Sequence, residues 1–319
     1  MIKLCVTAPF PEGAEERFKG FHGVEVARGL SDDAEIVFGQ PDPDSLKNLK
    51  QLKWLQISSA GADRYASRPE LFQNVALTTV SGAFGRSISE WTLALVLSLY
   101  KRLNLFRDNQ QNALWRDEGR QQSPSGKRVL ILGCGDLGCA IASVFRPFGC
   151  FISGIRRHAS AGAPKGFDEV HGLSELDSEL VKADIIVGAL PGTQDTAGLL
   201  SRERLFALKP DSVIVNVGRG SLIDLDALAD LLTENRIWGA AIDVAFPEPL
   251  PASHPLWRLK NCIVTPHASG GSFGHLKETE EIIYSICREN LQRYLSGGPL
   301  LNRLDFATGY RALEDRYSH

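Results

Sequence analysis

Three closely spaced glycines, Gly133, Gly135 and Gly138, constrain the possible folds more than any other feature of the 319-residue chain. A strand-like apolar segment precedes them and a helix-like segment follows. In such a turn, the first glycine permits tight folding, the second lets the backbone approach a pyrophosphate, and the third lets helix and strand pack closely. The amides at the helix N-terminus then bind the anion. The pattern predicts a dinucleotide site that includes Asp136 and Leu137, and the alternative is a turn without a ligand.

Short apolar segments alternate with helix-like segments along most of the chain, which is typical of α/β proteins with parallel sheets. A long helix is predicted over 89–111, a shorter one over 224–235 and a last one over 277–296. A chain of 319 residues suggests about two domains. The predicted strands are 3–7, 35–38, 54–58, 75–79, 129–132, 151–155, 184–190, 212–217, 239–244 and 262–265.

Composition and charge exclude several other classes of protein. The net charge of -3 argues against a nucleic-acid or anionic-membrane binder. The longest apolar run, 91–100, is half the length of a bilayer-spanning helix of about 20 residues. The N-terminus lacks signal-peptide features, and the dispersed cysteines and histidines lack metal-ligand spacing. We therefore expect a cytoplasmic protein without a metal site, with reduced thiols at Cys5, Cys134, Cys139, Cys150, Cys262 and Cys287.

Two arginines, Arg156 and Arg157, follow the predicted strand 151–155. An acidic residue at this place accepts hydrogen bonds from the adenosine ribose and selects NAD. Guanidinium groups there can instead bind a 2′-phosphate. The sequence therefore predicts NADP as the preferred cofactor, with NAD still possible. The alternative interpretation is a solvated basic loop.

Three polar residues, Arg219, Glu248 and His267, follow successive predicted strands in the second half of the chain. Ligands bind at the carboxyl ends of strands in open α/β sheets, so these side chains can meet at one ligand. A guanidinium binds a carboxylate through two parallel hydrogen bonds. An imidazole can give a proton to a carbonyl oxygen, and a neighbouring carboxylate orients it. With a hydride donor, the set predicts reduction of a 2-oxo acid. Taken singly, each residue could instead have a purely structural place: Arg219 in a surface ion pair, Glu248 in a solvated loop and His267 as the cap of a turn.

These motifs resemble the D-isomer-specific 2-hydroxyacid dehydrogenase family, in particular its glyoxylate/hydroxypyruvate reductases. The resemblance implies two Rossmann-like, doubly wound parallel-sheet domains with a cleft between them. A discontinuous substrate domain would span 1–95 and 283–319, and the dinucleotide-binding domain would span 96–282. The segments that carry the resemblance are 131–138, 190–196, 216–220, 241–251, 254–257 and 265–267.

The family also implies roles for single residues. Arg219 would bind the substrate carboxylate and carbonyl, His267 would be the acid–base residue, and Glu248 would pair with it. Members are usually homodimers, and Trp115 resembles a tryptophan that in some relatives reaches the partner's active site. Backbone amides at Ser59, Ala60 and Gly61 would hold the carboxylate. Positions that would line the dinucleotide are Leu190, Pro191, Thr196, Val217, Gly218, Asp243 and Gly270.

The sequence also departs from the family pattern. The segment 81–90 lacks the His or Asn that is usual near its start, and Phe84 and Arg86 in it would shape the pocket or the cofactor contacts. Val217-Gly218 replaces a commoner small or hydroxyl-bearing pair. The resulting prediction is an NADPH-preferring oxidoreductase that reduces glyoxylate, hydroxypyruvate or a bulkier 2-oxo acid to the D-2-hydroxy acid. The alternatives are an NAD-dependent D-2-hydroxyacid or phosphoglycerate dehydrogenase, a formate or phosphite oxidase of the same fold, and a dinucleotide-sensing corepressor-like protein.

Overall fold

The chain divides into two compact units, which we call unit 1 (Met1–Phe84 and Gly271–His319) and unit 2 (Gly85–Gly270). The expected domain boundaries, 95/96 and 282/283, differ from these. Each expected boundary would cut a helix that lies wholly in one unit, Gly85–Tyr100 in unit 2 and Lys277–Leu295 in unit 1. The computed structural model describes residues 1–11, 13–271, 275–307 and 309–311.

The regular elements alternate along the chain between strands and helices. The strands are β1 Ile2–Val6, β2 Val24–Arg28, β3 Ile36–Phe38, β4 Trp54–Gln56, β5 Ala76–Thr78, β6 Arg128–Leu132, β7 Phe151–Ile155, β8 Glu169–His171, β9 Ile185–Gly188, β10 Val213–Asn216, β11 Gly239–Ile242, β12 Cys262–Val264, β13 Leu304–Asp305 and β14 Tyr310–Arg311. The α-helices are α1 Ala14–Phe18, α2 Asp63–Ala66, α3 Gly85–Tyr100, α4 Leu103–Gln111, α5 Asp136–Phe145, α6 Leu176–Leu180, α7 Arg202–Phe206, α8 Leu225–Thr233 and α9 Lys277–Leu295.

The main sheet of unit 1 is parallel, with the order β2-β1-β3-β4-β5. An apolar core covers each of its faces. The C-terminal helix α9 contributes Ile283, Cys287 and Leu291 to one core. The buried Asn290 amide of the same helix donates to Oε1 of Gln56 on β4, 2.9 Å away. The segments of unit 1 from the two ends of the chain therefore share one core.

The sheet of unit 2 is also parallel, with the order β12-β11-β10-β9-β6-β7-β8. Alternate residues of β6 enter opposite cores, since Val129 and Ile131 pack with α3 and α5 whereas Leu130 and Leu132 pack with α6 and α8. A central strand buried on both faces reads as a continuous apolar run, as β6 does. The predicted α/β class with two parallel-sheet domains is confirmed.

Other sequence-based predictions of elements were wrong in part. The helix predicted over 89–111 is two helices, α3 and α4, separated at Arg102, whose backbone is left-handed (φ 56°). The Arg102 guanidinium lies over the Trp238 ring, 4.5 Å from its centroid, and donates to the Arg120 carbonyl at 2.7 Å. Contacts with residues distant in sequence thus stabilise the interruption between α3 and α4. The edge strands β2 and β8 were not predicted.

Among the described residues, no helix is both long and apolar enough to cross a membrane.

Candidate active site

The side chains of His267 and Glu248 form a hydrogen-bonded pair at the carboxyl ends of two adjacent strands, β12 and β11. Nδ1 of His267 lies 3.0 Å from Oε2 of Glu248. The other carboxylate oxygen, Oε1, accepts from the Ala245 amide at 3.0 Å. Both side chains are exposed within unit 2, 52% for His267 and 42% for Glu248. The carboxylate favours a proton on Nδ1, so Nε2 is the ring nitrogen that can exchange a proton with a substrate oxygen.

The backbone at His267 is held in an unusual conformation, since its φ of 54° lies in the left-handed region that disfavours residues with a Cβ. The buried Asp243 supplies the restraint. Its backbone carbonyl accepts from the His267 amide at 2.8 Å. Its carboxylate accepts from the Thr265 hydroxyl at 2.6 Å and from the amides of Ala268 and Ser269 at 3.0 and 3.1 Å. The structure shows Asp243 fixing the loop that carries His267, and its predicted place beside the cofactor stays a prediction.

A second restraint on this loop comes from α3. The Ser87 hydroxyl donates to the carbonyl oxygen of Ser269 at 2.7 Å, and both residues are buried. Sequence reasoning missed Ser87, because the contact joins residues far apart in the chain. The available signal was its hydroxyl a few residues before the mostly apolar run 91–100.

Arg219 lies in the loop after β10, next to the Glu248 loop. The buried Asn216 side chain shapes this loop, since its amide donates to the Arg219 carbonyl at 2.9 Å. A Cβ added to Gly220 would overlap the backbone of Ala245, so the two loops touch at that point. Ala245 in turn donates its amide to Glu248. Three strand ends therefore bring the Arg219 backbone and the Glu248–His267 pair to one edge of the sheet.

The glycine turn after β6 has the shape that a pyrophosphate requires. Gly133 has a φ of 112°, and a Cβ there would lie 2.8 Å from the carbonyl oxygen of Ala189. A Cβ on Gly138 would overlap the Gly133 carbonyl. Gly135 is the N-cap of α5 and has no side chain to occupy the helix end. The turn therefore fits a bound dinucleotide phosphate at the amides that begin α5.

Several predicted cofactor-lining residues lie together around this turn. An added Cβ on Gly133 would lie 3.3 Å from Leu190 Cδ2, and one on Gly218 would lie 2.7 Å from the Leu190 carbonyl oxygen. The turn at 191–196 is fixed by the Thr196 hydroxyl, which donates to the Pro191 carbonyl at 2.7 Å. The ends of β6, β9 and β10 thus form one continuous surface, as a dinucleotide-binding crevice requires.

The two arginines beyond β7 have different partners. Arg156 donates to the carbonyl oxygen of Gly162 at 3.3 Å. Nη2 of Arg157 lies 3.2 Å from Oδ2 of Asp195, in the turn after β9. Sequence reasoning did not single out Asp195, and no local pattern would have done so.

Two further predicted site features each lie within one unit. In unit 1, the Ser59 hydroxyl donates to the Gly61 carbonyl at 2.7 Å, and the Val80 amide donates to the Ser59 carbonyl at 3.1 Å. The role of this loop in binding a carboxylate stays a prediction. In unit 2, the Trp115 side chain is fully exposed in the segment after α4, and its role also stays a prediction.

The acidic cluster Glu169, His171 and Glu179 is the one group of described residues with metal-ligand geometry. Its buried carboxylate is already paired, since Glu179 lies 2.7 Å from Arg128 and 2.6 Å from Lys182. Burial acts to raise the pKa of Glu179, but these two cations outweigh it and lower that pKa. We interpret the cluster as an ion-pair network beside β8.

Comparisons with known proteins show what the chain is similar to. A family model described as "D-isomer specific 2-hydroxyacid dehydrogenase, NAD binding domain" matches residues 93–269. Glyoxylate/hydroxypyruvate reductase B of Pectobacterium carotovorum is 31% identical over 267 residues, which cover 81% of each chain. A solved structure of a D-isomer specific 2-hydroxyacid dehydrogenase family protein from Aeromonas salmonicida is 31% identical, with a TM-score of 0.86 over 96% of this chain and 99% of that one. The Xanthobacter autotrophicus D-isomer specific 2-hydroxyacid dehydrogenase, solved with NADPH and MES, is 28% identical, with a TM-score of 0.80 over 97% of this chain and 99% of that one.

Proposed function

The chain belongs to the D-isomer specific 2-hydroxyacid dehydrogenase family of NAD(P)-dependent oxidoreductases, and on this premise we propose that it reduces a 2-oxo acid to the D-2-hydroxy acid with NADPH as the preferred cofactor. The observation that carries the proposal is the Glu248–His267 pair, 3.0 Å apart, beside the Arg219 loop. The D configuration of the product follows from family membership.

Arg219 binds the carboxylate of the substrate. A guanidinium presents two parallel N–H donors that match the two oxygens of a carboxylate. The loop that carries Arg219 is shaped by the buried Asn216 and packs against the Glu248 loop, so the guanidinium is attached to a fixed part of the site. Binding the carboxylate there places the adjacent carbonyl group near His267 and limits its orientation.

His267 protonates the carbonyl oxygen during reduction. When bound, the reduced dinucleotide supplies a hydride to the carbonyl carbon, and a proton from His267 converts the oxygen into the hydroxyl of the product. The overall change consumes one 2-oxo acid, one NADPH and one proton, and yields one 2-hydroxy acid and one NADP. Glu248 stabilises the positive charge on the imidazole before the proton leaves. Solvent then restores the proton to His267.

The NADPH preference is supported by the basic tip of β7. Arg156 and Arg157 follow this strand, and residues 156–158 contain no carboxylate to receive the ribose hydroxyls. Guanidinium groups pair well with a phosphate, whose charge near neutral pH is about -1.5 to -2. A relative of 28% identity was solved with NADPH, which agrees with this interpretation.

The direct test is oxidation of NADPH and of NADH by the purified protein with a panel of 2-oxo acids. The panel runs from glyoxylate and hydroxypyruvate to branched and aromatic 2-oxo acids. We expect higher kcat/KM with NADPH, and a kcat lower by about 10²–10⁴ with the His267→Ala variant. A higher kcat/KM with NADH would replace the cofactor assignment. Tight NADPH binding without turnover of any acid would favour a dinucleotide sensor.

We also propose that the protein is a cytoplasmic homodimer. All six cysteines are free thiols, which suits a reducing compartment. The exposed Leu114 and Trp115, in the segment after α4, are apolar surface that a second copy can cover. Light scattering should give twice the 34.9 kDa mass of the chain. A monomer by that measurement would reject the dimer.

A further inference from the structure

The ion pair between Arg157 and Asp195 links the basic tip of β7 to the turn after β9. We propose that Asp195 is a specificity-determining residue, which competes with the 2′-phosphate of NADPH for Arg157 and so limits the preference for NADPH over NADH. The inference rests on the proposed function, because it assigns the tip of β7 to the adenosine end of the cofactor. It concerns a residue outside the predicted site.

The two partners differ in how firmly the fold holds them. Asp195 lies in the turn at 191–196, where the Thr196 hydroxyl donates to the Pro191 carbonyl at 2.7 Å and accepts from the Thr193 amide at 2.9 Å. The Asp195 carboxylate is therefore attached by a short side chain to a restrained turn. Arg157 has a long, flexible side chain, so it is the partner that can move towards a ligand.

Both members of the pair are accessible to a ligand and to water. The side chain of Arg157 is 49% exposed and that of Asp195 is 69% exposed. Exposed ion pairs contribute little and break readily. A phosphate with nearly two negative charges can thus draw Arg157 away from Asp195.

The neighbouring Arg156 provides the contrast within the same segment. It donates to the Gly162 carbonyl, a neutral acceptor, so no carboxylate offsets its charge in that contact. Arg157 instead starts beside a fixed negative charge. A 2′-phosphate can bind Arg157 only after it displaces Asp195 from the guanidinium, so the loss of this ion pair offsets part of the binding. NADH lacks this phosphate, so Asp195 weakens NADPH binding selectively.

The test measures the dissociation constants of NADPH and NADH by fluorescence titration, without substrate, for the wild type and for Asp195→Asn. Asparagine keeps the size of the side chain and removes its charge. We expect NADPH to bind about two- to fivefold more tightly, the range of an exposed ion pair, and NADH to bind as before. The matched control Asp195→Glu keeps the charge and should leave the ratio of the two constants near the wild-type value.

A double-mutant cycle assigns the effect to Arg157. Arg157→Gln should weaken NADPH binding, and adding Asp195→Asn to it should change the ratio no further. The proposal would be overturned if Asp195→Asn had the same preference for NADPH as the wild type or a lower one. It would also be overturned if the wild type bound neither dinucleotide.

The NADPH preference itself is judged on the wild type alone. If the wild type prefers NADH but Asp195→Asn shows the expected shift, the proposed NADPH preference is rejected and the proposed role of Asp195 is supported.

Discussion

The Glu248 carboxylate is held at both oxygens, since Oε2 lies 3.0 Å from Nδ1 of His267 and Oε1 accepts from the Ala245 amide at 3.0 Å. Ala245 is also the residue whose backbone touches Gly220, next to Arg219. The pair is thus built into the contact between two strand-end loops, and its orientation does not depend on a substrate.

Replacing His267 by alanine should remove the proton donor and leave the dinucleotide site intact. We expect kcat for 2-oxo acid reduction to fall by about 10²–10⁴, the usual contribution of general acid catalysis. The dissociation constant of NADPH should change less than about twofold, because the glycine turn follows β6 whereas His267 follows β12. Steady-state rates and fluorescence titration of the same preparation check both parts. A fully active variant would remove the assignment.

Replacing Glu248 by glutamine should remove the negative charge beside the imidazole. The single amide oxygen can accept from Nδ1–H of His267 or from the Ala245 amide but not from both, and the amide no longer stabilises a positive imidazole. We expect kcat to fall by about tenfold or more, less than for His267→Ala, with little change in KM. Glu248→Asp should recover part of the activity, because it restores the charge. If glutamine and glutamate give equal kcat, the carboxylate serves only to orient the ring.

The fold could be predicted where local pattern and tertiary structure agree. The buried strand β6 is a continuous apolar run, and the spacing of the glycines after it indicates a tight turn, so this strand and turn were evident from sequence. The edge strands β2 and β8 carry charged residues and lack that signal. The break between α3 and α4 depends on the contact of Arg102 with Trp238, which no local pattern reveals.

The site could be predicted as residue types at strand ends, but not as a network. The sequence placed Arg219, Glu248 and His267 after successive strands, and the structure brings their loops together. The anchoring contacts of Asp243 and Ser87 with the His267 loop involve backbone groups, which leave no trace in residue identity. Asp195 was missed for a related reason, since its partner Arg157 comes from another strand end.

Replacing Arg219 by lysine should weaken substrate binding while keeping the charge. A lysine ammonium lacks the planar pair of donors that matches a carboxylate. We expect kcat/KM for the 2-oxo acid to fall by about tenfold or more, since charge-assisted hydrogen bonds are worth about 1.5–3 kcal/mol. The matched control is Arg202→Lys, because Arg202 forms an exposed pair with Asp230 at 2.8 Å. Equal losses in both variants would show that the effect is not specific to Arg219.

The thiol of Cys134, within the glycine turn, should be slow to alkylate. Burial raises the pKa of this thiol to about 12, from an ordinary value of 9. Only the thiolate reacts, so at pH 8 iodoacetamide should label Cys134 at least about a hundredfold more slowly in the folded protein than in urea. The folded rate should keep rising above pH 9, where the rate for an ordinary thiol levels off. Mass spectrometry of the labelled peptides measures this, and rapid labelling at pH 8 would contradict it.

Replacing Gly138 by alanine should disrupt the dinucleotide turn through a single methyl group. The added Cβ would overlap the carbonyl oxygen of Gly133, a backbone atom, so either the turn or the start of α5 must shift. We expect the dissociation constant of NADPH to rise at least about tenfold, because phosphate binding depends on the placement of those amides. Gly20→Ala is the matched control, since a Cβ there meets nothing within 4 Å. Circular dichroism at the assay temperature shows whether each variant is folded. A folded Gly138→Ala protein that binds NADPH like the wild type would place the cofactor elsewhere than at this turn.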